Sequence, residues 1–245
     1  DLLRRVATVA LVGDDEIERL KQGDMLESSF GEFAAESPQL YQAIIAERDQ
    51  YMASALRQGL HGTPWSGPPL AHVERAAAFM LFTEAEPSVL CPISMTYAVT
   101  PALRSNAAVY ADWGPGLAAR AYDPALKPWH AKAGLTMGMG MTEKQGGSDV
   151  RANTTRAEPD GSDAWGPRFR VTGHKWFFSA PMCDAFLILA QTASGLSCLF
   201  LPRVLPDGRR NAIQIQRLKD KLGNKANASS EVEFHGASAW LVGDE

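Results

Sequence analysis

Cysteine is scarce in this sequence, with only Cys91, Cys183 and Cys198. Their number is odd and their spacing is not metal-like. This argues against a secreted disulfide framework and predicts a reducing compartment, the cytoplasm. Long apolar runs are missing too. No window approaches the ~18 uninterrupted apolar residues of a membrane helix, so no membrane partner is expected. The opening Asp1-Leu2-Leu3-Arg4-Arg5 lacks the basic region and apolar run of a signal peptide. Charge of one sign is also lacking, the net being −4. Residues 1–134 lean acidic and residues 135–245 are close to balance, so neither part reads as a nucleic-acid surface. The histidines (His61, His72, His130, His174, His235) never pair at i, i+4, and none has a cysteine partner. A metal site is therefore not expected. No G-x-G-x-x-G opens a helix, no Gly-Lys-Ser/Thr follows a glycine loop, and no G-x-S-x-G is present. Rossmann, P-loop and nucleophile-elbow chemistry are thereby set aside.

What is there suits a folded chain. The 245 residues are 45% apolar and 21% charged, enough to bury a core without staples. The texture predicts an α+β protein in two domains: residues 1–134 all-helical, residues 135–245 an antiparallel β-barrel or sandwich. The sequence has no initiator Met and ends at Glu245 without a stop signal, so both ends are expected to be cut.

In the first part, Asp14-Asp15-Glu16 supplies acids for a helix start. Ser37-Pro38 predicts a stronger start, a cap followed by Pro at the first helical position. Leu40, Tyr41, Ile44, Ile45, Met52, Ala55 and Leu56 follow at helical spacing, and Gly59 marks a stop. Residues 60–69 read as a loop and 70–85 as a helix ending before Pro87. Residues 89–110 are a more apolar helical segment. Pro115, Gly116, Pro124 and Pro128 predict a long turn-rich connection. In the second part, glycines punctuate short runs at 135–141, 151–157, 168–173, 174–179, 185–192, 196–202, 212–217 and 230–236, which read as strands.

Two segments carry chemistry. In Met139-Gly140-Met141-Thr142-Glu143-Lys144-Gln145-Gly146-Gly147-Ser148-Asp149, a strand ends in a loop rich in glycine and hydroxyls. Glycines let a backbone approach a flat or anionic ligand, and free N–H groups in such a turn can cradle a phosphate. Taken alone, the same residues read rather as a tight turn with a local Ser-Asp cap. In Gly173-His174-Lys175-Trp176-Phe177-Phe178-Ser179, strand alternation predicts Trp176 and Phe178 on one face and Phe177 on the other. One face would fill the core while the other offers a wall to a ring system.

Taken together, these blocks resemble the flavin-binding signature of the acyl-CoA dehydrogenase superfamily. Asp220-Lys221-Leu222-Gly223 and Glu231-Val232-Glu233-Phe234 resemble its next β-domain block, and Cys91-Pro92-Ile93-Ser94-Met95-Thr96 a segment of its helical domain. The fuller strings are most similar to the AidB-type branch, linked to the adaptive response to DNA alkylation. The resemblance implies FAD as cofactor, held by Met139, Gly140, Met141, Thr142, Gly147, Ser148, Phe177, Phe178 and Ser179. Met139, Met141 and Thr142 would face the pyrimidine edge of the flavin, Gly147 and Ser148 its pyrophosphate, and Ser179 the N5 side. It implies an acyl-CoA-like small-molecule partner, oxidation of the acyl thioester at its α,β bond, and a homo-oligomer, commonly a tetramer. The family's catalytic carboxylate belongs to a C-terminal helical domain absent from this sequence, so no catalytic residue is assigned. Glu143 belongs to the flavin loop and is expected to be structural. His174 is expected beside the site or on the surface, not as a base. The alternative implied by the branch is a flavin-containing DNA-binding, DNA-protecting protein with vestigial dehydrogenation. Its DNA contact would lie mainly in the absent region. The cluster Arg217, Lys219, Lys221 and Lys225 is read as a solvated loop. Asn153-Thr154-Thr155 and Asn227-Ala228-Ser229 match glycosylation sequons, with nothing else to suggest secretion.

Overall fold

The computed structural model describes residues 38–224 and 227–245, with side chains from residue 46 onward. The helix start at Asp14, the cap at Ser37 and the charge at Lys225 lie outside the described residues.

Among the described residues four helices come first: α1 (Pro38–Arg57), α2 (Ala71–Ala85), α3 (Leu90–Leu103) and α4 (Ala107–Ala118). α1 buries Met52, Ala55 and Leu56 against Leu90 and Ile93 of α3. Gly59 then turns the chain at φ +73, where a side chain would be strained. α4 starts at Asn106, whose side chain accepts from Val109 N at 3.0 Å. The same side chain donates to Trp165 O and Leu241 O, at 2.9 and 2.8 Å, tying the helix to the strands. Pro115 and Gly116, expected in a loop, lie inside α4. The helix survives because its apolar face is buried: Val109, Trp113 and Leu117 pack against Leu187, Phe200 and Trp240 of the sheet. Burial on this scale outweighs the local propensity against Pro.

Seven strands follow: β1 (Met137–Gly140), β2 (Arg156–Asp163), β3 (Gly166–Ser179), β4 (Ala185–Thr192), β5 (Gly195–Pro202), β6 (Ile213–Leu218) and β7 (Ser229–Leu241). The mostly antiparallel sheet runs β1-β3-β2-β4-β5-β7-β6, and β1–β4 and β3–β7 pair as well. These extra pairings let the ladder return from β3 through β7, β5 and β4 to β1. The α+β expectation holds, with β4 departing from the antiparallel order: β1 runs parallel to it, from Met137 opposite Ala185 to Gly140 opposite Ile188, and so does the start of β2, at Arg156 opposite Gln191. A parallel step needs a long crossover, which β2 and β3 supply.

The runs 168–173 and 174–179 are one strand rather than two. Gly173 sits at φ +144 within β3, and a Cβ there would meet Thr155 Cα at 2.6 Å. It therefore permits close backbone approach instead of breaking the strand. The interior between the strands is filled by Phe169, Val171, Phe178, Phe186, Ile188 and Phe234. No helix among the described residues is long and apolar enough to cross a membrane.

Candidate functional site

β1 reaches the glycine loop beneath α3. The Thr96 hydroxyl donates to Pro92 O at 2.8 Å and accepts from Met137 N at 2.9 Å. That contact fixes where the strand begins. Beside β1 runs the end of β3, with Met139 opposite Ser179 and Gly140 opposite Phe178. A Cβ at Gly140 would lie 2.4 Å from the Phe178 ring, so glycine is what lets these strands meet.

The loop is then anchored at two carbonyls. Asn153 Nδ2 donates to Met141 O and Trp176 N donates to Thr142 O, both at 2.9 Å. A tight turn follows, in which Gly146 N donates to Glu143 O at 3.0 Å. Gly146 holds φ +130, a region open to glycine.

Glu143 is the root of the loop. Its carboxylate is fully buried and meets Lys175 Nζ at 2.8 Å, also fully buried. It also accepts from Thr154 N, Thr154 Oγ1 and Thr155 N. Burial opposes ionisation, but the Lys175 ammonium and the Thr155 and Thr154 donors outweigh it. The carboxyl is held down at about 2. A carboxylate so bound is a structural anchor. His174 Nε2 accepts from Lys144 N at 3.2 Å, so this histidine supports the loop backbone.

The aromatic strand differs from the alternation expected for it. Lys175 pairs with Val232, whereas Phe178 pairs with Ser230, so β3 carries one residue more than β7 between these points. This bulge turns both Trp176 and Phe177 outward. Phe178 faces inward, its ring 4.2 Å from that of Phe186. The expectation that Trp176 and Phe178 share a face is therefore corrected. On the outer face Lys219 Nζ lies 3.4 Å from the Trp176 ring centroid and 4.8 Å from that of Phe177. Lys219 and Arg217 both pair with Glu231 at 2.8 Å. Burial would raise the Glu231 carboxyl, but these two cations hold it below its usual range.

The site residues named from sequence thus divide. Met139, Gly140 and Ser179 form adjoining strand backbone. Thr142 lies beside Trp176 at the loop's start. Gly147 and Ser148 are exposed on the loop, and Phe177 is 42% exposed on the neighbouring strand. Gly147 has a local reason: a Cβ there would meet Thr142 Cγ2 at 2.6 Å. The Phe178 side chain is separated from this outer face. Sequence reasoning missed Asn153 and Lys175. The signal for Lys175 was a cation in a run of aromatics, where only a buried partner makes it tolerable. Asn153 and Asn227, the sequon residues, are both buried.

One polar atom stands out. The Thr142 hydroxyl is buried and has no hydrogen-bond partner among the described residues. Buried hydroxyls are rarely left so, because the unmade bond costs about 1–3 kcal/mol. With Gly147 at its side and an exposed aromatic on the next strand, it is suited to donate to a ligand. No group of His, Cys, Asp and Glu among the described residues could hold a metal ion.

Helices laid on a mostly antiparallel sheet, with a glycine-hydroxyl loop beside an aromatic strand, define the class. Residues 138–237 match the acyl-CoA dehydrogenase middle domain, and residues 49–124 the N-terminal domain of the adaptive response protein AidB. The chain belongs to the acyl-CoA dehydrogenase superfamily, in its AidB-type branch. It is 58% identical over 178 residues to the putative acyl-CoA dehydrogenase AidB of Escherichia coli, covering 71% of this chain and 32% of that protein. It is 35% identical over 190 residues to acyl-CoA dehydrogenase family member 11 of Caenorhabditis elegans, covering 73% and 29%. The crystal structure of Caenorhabditis elegans ACDH-11 in complex with C11-CoA is similar at a TM-score of 0.69 and 28% identity, covering 80% of this chain and 34% of that one. The chain therefore spans about a third of the length of the curated relatives it matches.

Proposed function

We propose that the Met139–Ser148 loop and the end of β3 form one wall of an FAD site in an acyl-CoA dehydrogenase-like flavoprotein. The observation that carries this reading is the buried, unpartnered Thr142 hydroxyl beside Gly147. Family membership supports a flavin as the group it serves.

The residues fit that group by their chemistry. Thr142 Oγ1 would donate to a carbonyl of the pyrimidine edge, and the Met139 and Met141 backbones would line the same edge. Gly147 and Ser148 offer backbone and hydroxyl donors suited to the pyrophosphate. Phe177 supplies an aromatic wall and Ser179 a hydroxyl for the N5 side. Phe178 and Gly140 act from beneath, through backbone pairing and ring packing that hold the loop's entry in place. When bound, FAD supplies hydride acceptance from the β-carbon of an acyl thioester. This chain's own part is to bind, orient and wall off the cofactor. Glu143 is committed to Lys175 and is not the base. The acyl-CoA partner is supported by the C11-CoA complex of the ACDH-11 relative. The division into two domains, 1–134 and 135–245, belongs to the same proposal.

The test is the flavin absorbance of the purified protein, with Thr142→Ala and Ser148→Ala beside it. We expect a bound, reconstitutable flavin whose affinity falls in both variants. A colourless protein that takes up no FAD overturns the reading.

A further inference from the structure

A second polar cleft, of about 350 Å³, opens between the β3–β7 ladder and the chain leading from β5 into β6. Arg168 and Arg170 of β3 line it, with Arg209 and Arg210 from the turn and His235 from β7. Asp160 is the one carboxylate among its described lining residues. The cleft is remote from the glycine loop. Arg170 and Phe177 lie seven positions apart on the same extended strand, about 20 Å at the rise of a β-strand.

The arginines converge because of their register. Arg168 and Arg170 are two apart on β3 and so share a face. Both meet Asp160: Arg168 Nη2 donates to its backbone oxygen at 2.9 Å, and Arg170 Nη2 to both carboxylate oxygens at 3.3 Å. Asp163 takes a further edge of Arg168 at 3.5 Å, and Asp207 holds Arg209 Nε at 2.7 Å. His235 faces Glu233 at 3.3 Å. Gly236, at φ +79, makes room for Arg170, whose Cγ and Cδ would lie 3.3 Å from a Cβ there.

These carboxylates do not exhaust the donors. A guanidinium carries five N–H groups, and one carboxylate engages at most two of them. The Arg170 side chain is 58% exposed and that of Arg209 78%, so their remaining donors face open water. Planar forks around a polar cavity match phosphoryl oxygens better than point charges do. Asp160 already shows an anion seated between Arg168 and Arg170. The cavity lies at the small end of the range for ligand sites.

We propose that this cleft binds a small phosphorylated ligand, whose phosphoryl oxygens accept from Arg170 and Arg209. The shared chemistry is a diphosphate, free or carried on a nucleoside. The proposal does not rest on the flavin reading.

The test is calorimetric titration of the purified protein at low salt with inorganic pyrophosphate and, separately, with ADP. Both should bind. The double variant Arg170→Gln/Arg209→Gln should weaken binding about tenfold or more. Asp160→Asn should tighten it about threefold, by removing the competing anion. Arg57→Gln, at an exposed cation in the last turn of α1, should leave it unchanged, with melting temperature confirming that each variant folds. Equal affinity for the two probes assigns the site to the diphosphate alone, and tighter ADP assigns a nucleoside contact as well. The proposal is overturned by any of three results: no binding of either probe, binding unchanged in Arg170→Gln/Arg209→Gln, or binding of a DNA duplex without binding of pyrophosphate.

Discussion

Lys175 of β3 closes on Glu143 of the glycine loop at 2.8 Å, and neither side chain touches solvent. This pair joins the two segments that the sequence marks out as chemically informative. It also explains why the Glu143 carboxylate is unavailable for proton abstraction.

Removing one member should therefore cost more than an ordinary surface charge. We expect Lys175→Met or Glu143→Gln to destabilise the protein by about 3–5 kcal/mol, since each leaves a buried polar partner unmatched. The double variant should recover part of that loss. Urea unfolding of the four proteins, read as a double-mutant cycle, measures it.

The same pair sets a pH dependence. The Glu143 carboxyl is held at about 2 in the folded protein, against an ordinary value of 4.5. A depressed folded value means that the unfolded chain takes up the proton first. Its stabilisation is thus complete above about 4.5 and is lost as pH falls towards about 2. Unfolding midpoints measured downward from neutral pH should show this fall, and Glu143→Gln should flatten it.

Thr142→Val separates ligand binding from folding. Valine keeps the shape and removes the unpartnered hydroxyl. Without flavin, stability should hold or rise by up to about 1 kcal/mol. With flavin present, affinity should fall. A matched loss of stability in the flavin-free protein would show that the hydroxyl serves the fold instead.

Gly140→Ala tests the strand contact beneath the loop. The new methyl would lie 2.4 Å from the Phe178 ring, which is fixed between Phe186 and Phe234. Overpacking of this kind should cost about 1–3 kcal/mol in thermal or urea unfolding.

Lys219→Met should change the environment of Trp176, whose ring centroid lies 3.4 Å from the ammonium. We expect a shift in tryptophan emission and a loss of about 0.5–2 kcal/mol. The emission of Trp176→Phe identifies the contribution of this ring.

Local pattern was a good guide where burial is one-sided and turns are explicit. The helix expected over 70–85 is Ala71–Ala85, and the strand expected over 185–192 is Ala185–Thr192. It failed at Pro115-Gly116 and at Gly173. In both places a residue that usually ends an element is retained by packing from far along the chain. α4 is held by β4, β5 and β7, and β3 by β7.

The sequence by itself determined the order of helices before strands, the glycine-hydroxyl loop and the aromatic strand, because these follow from local spacing and composition. Only the tertiary structure decided which aromatic faces outward. The bulge between Lys175 and Phe178 is set by the register of β7, a partner more than fifty residues away. A period of two along one strand cannot encode the residue count of another. For the same reason the burial of Lys175 against Glu143 emerges only once the loop and the strand are folded together.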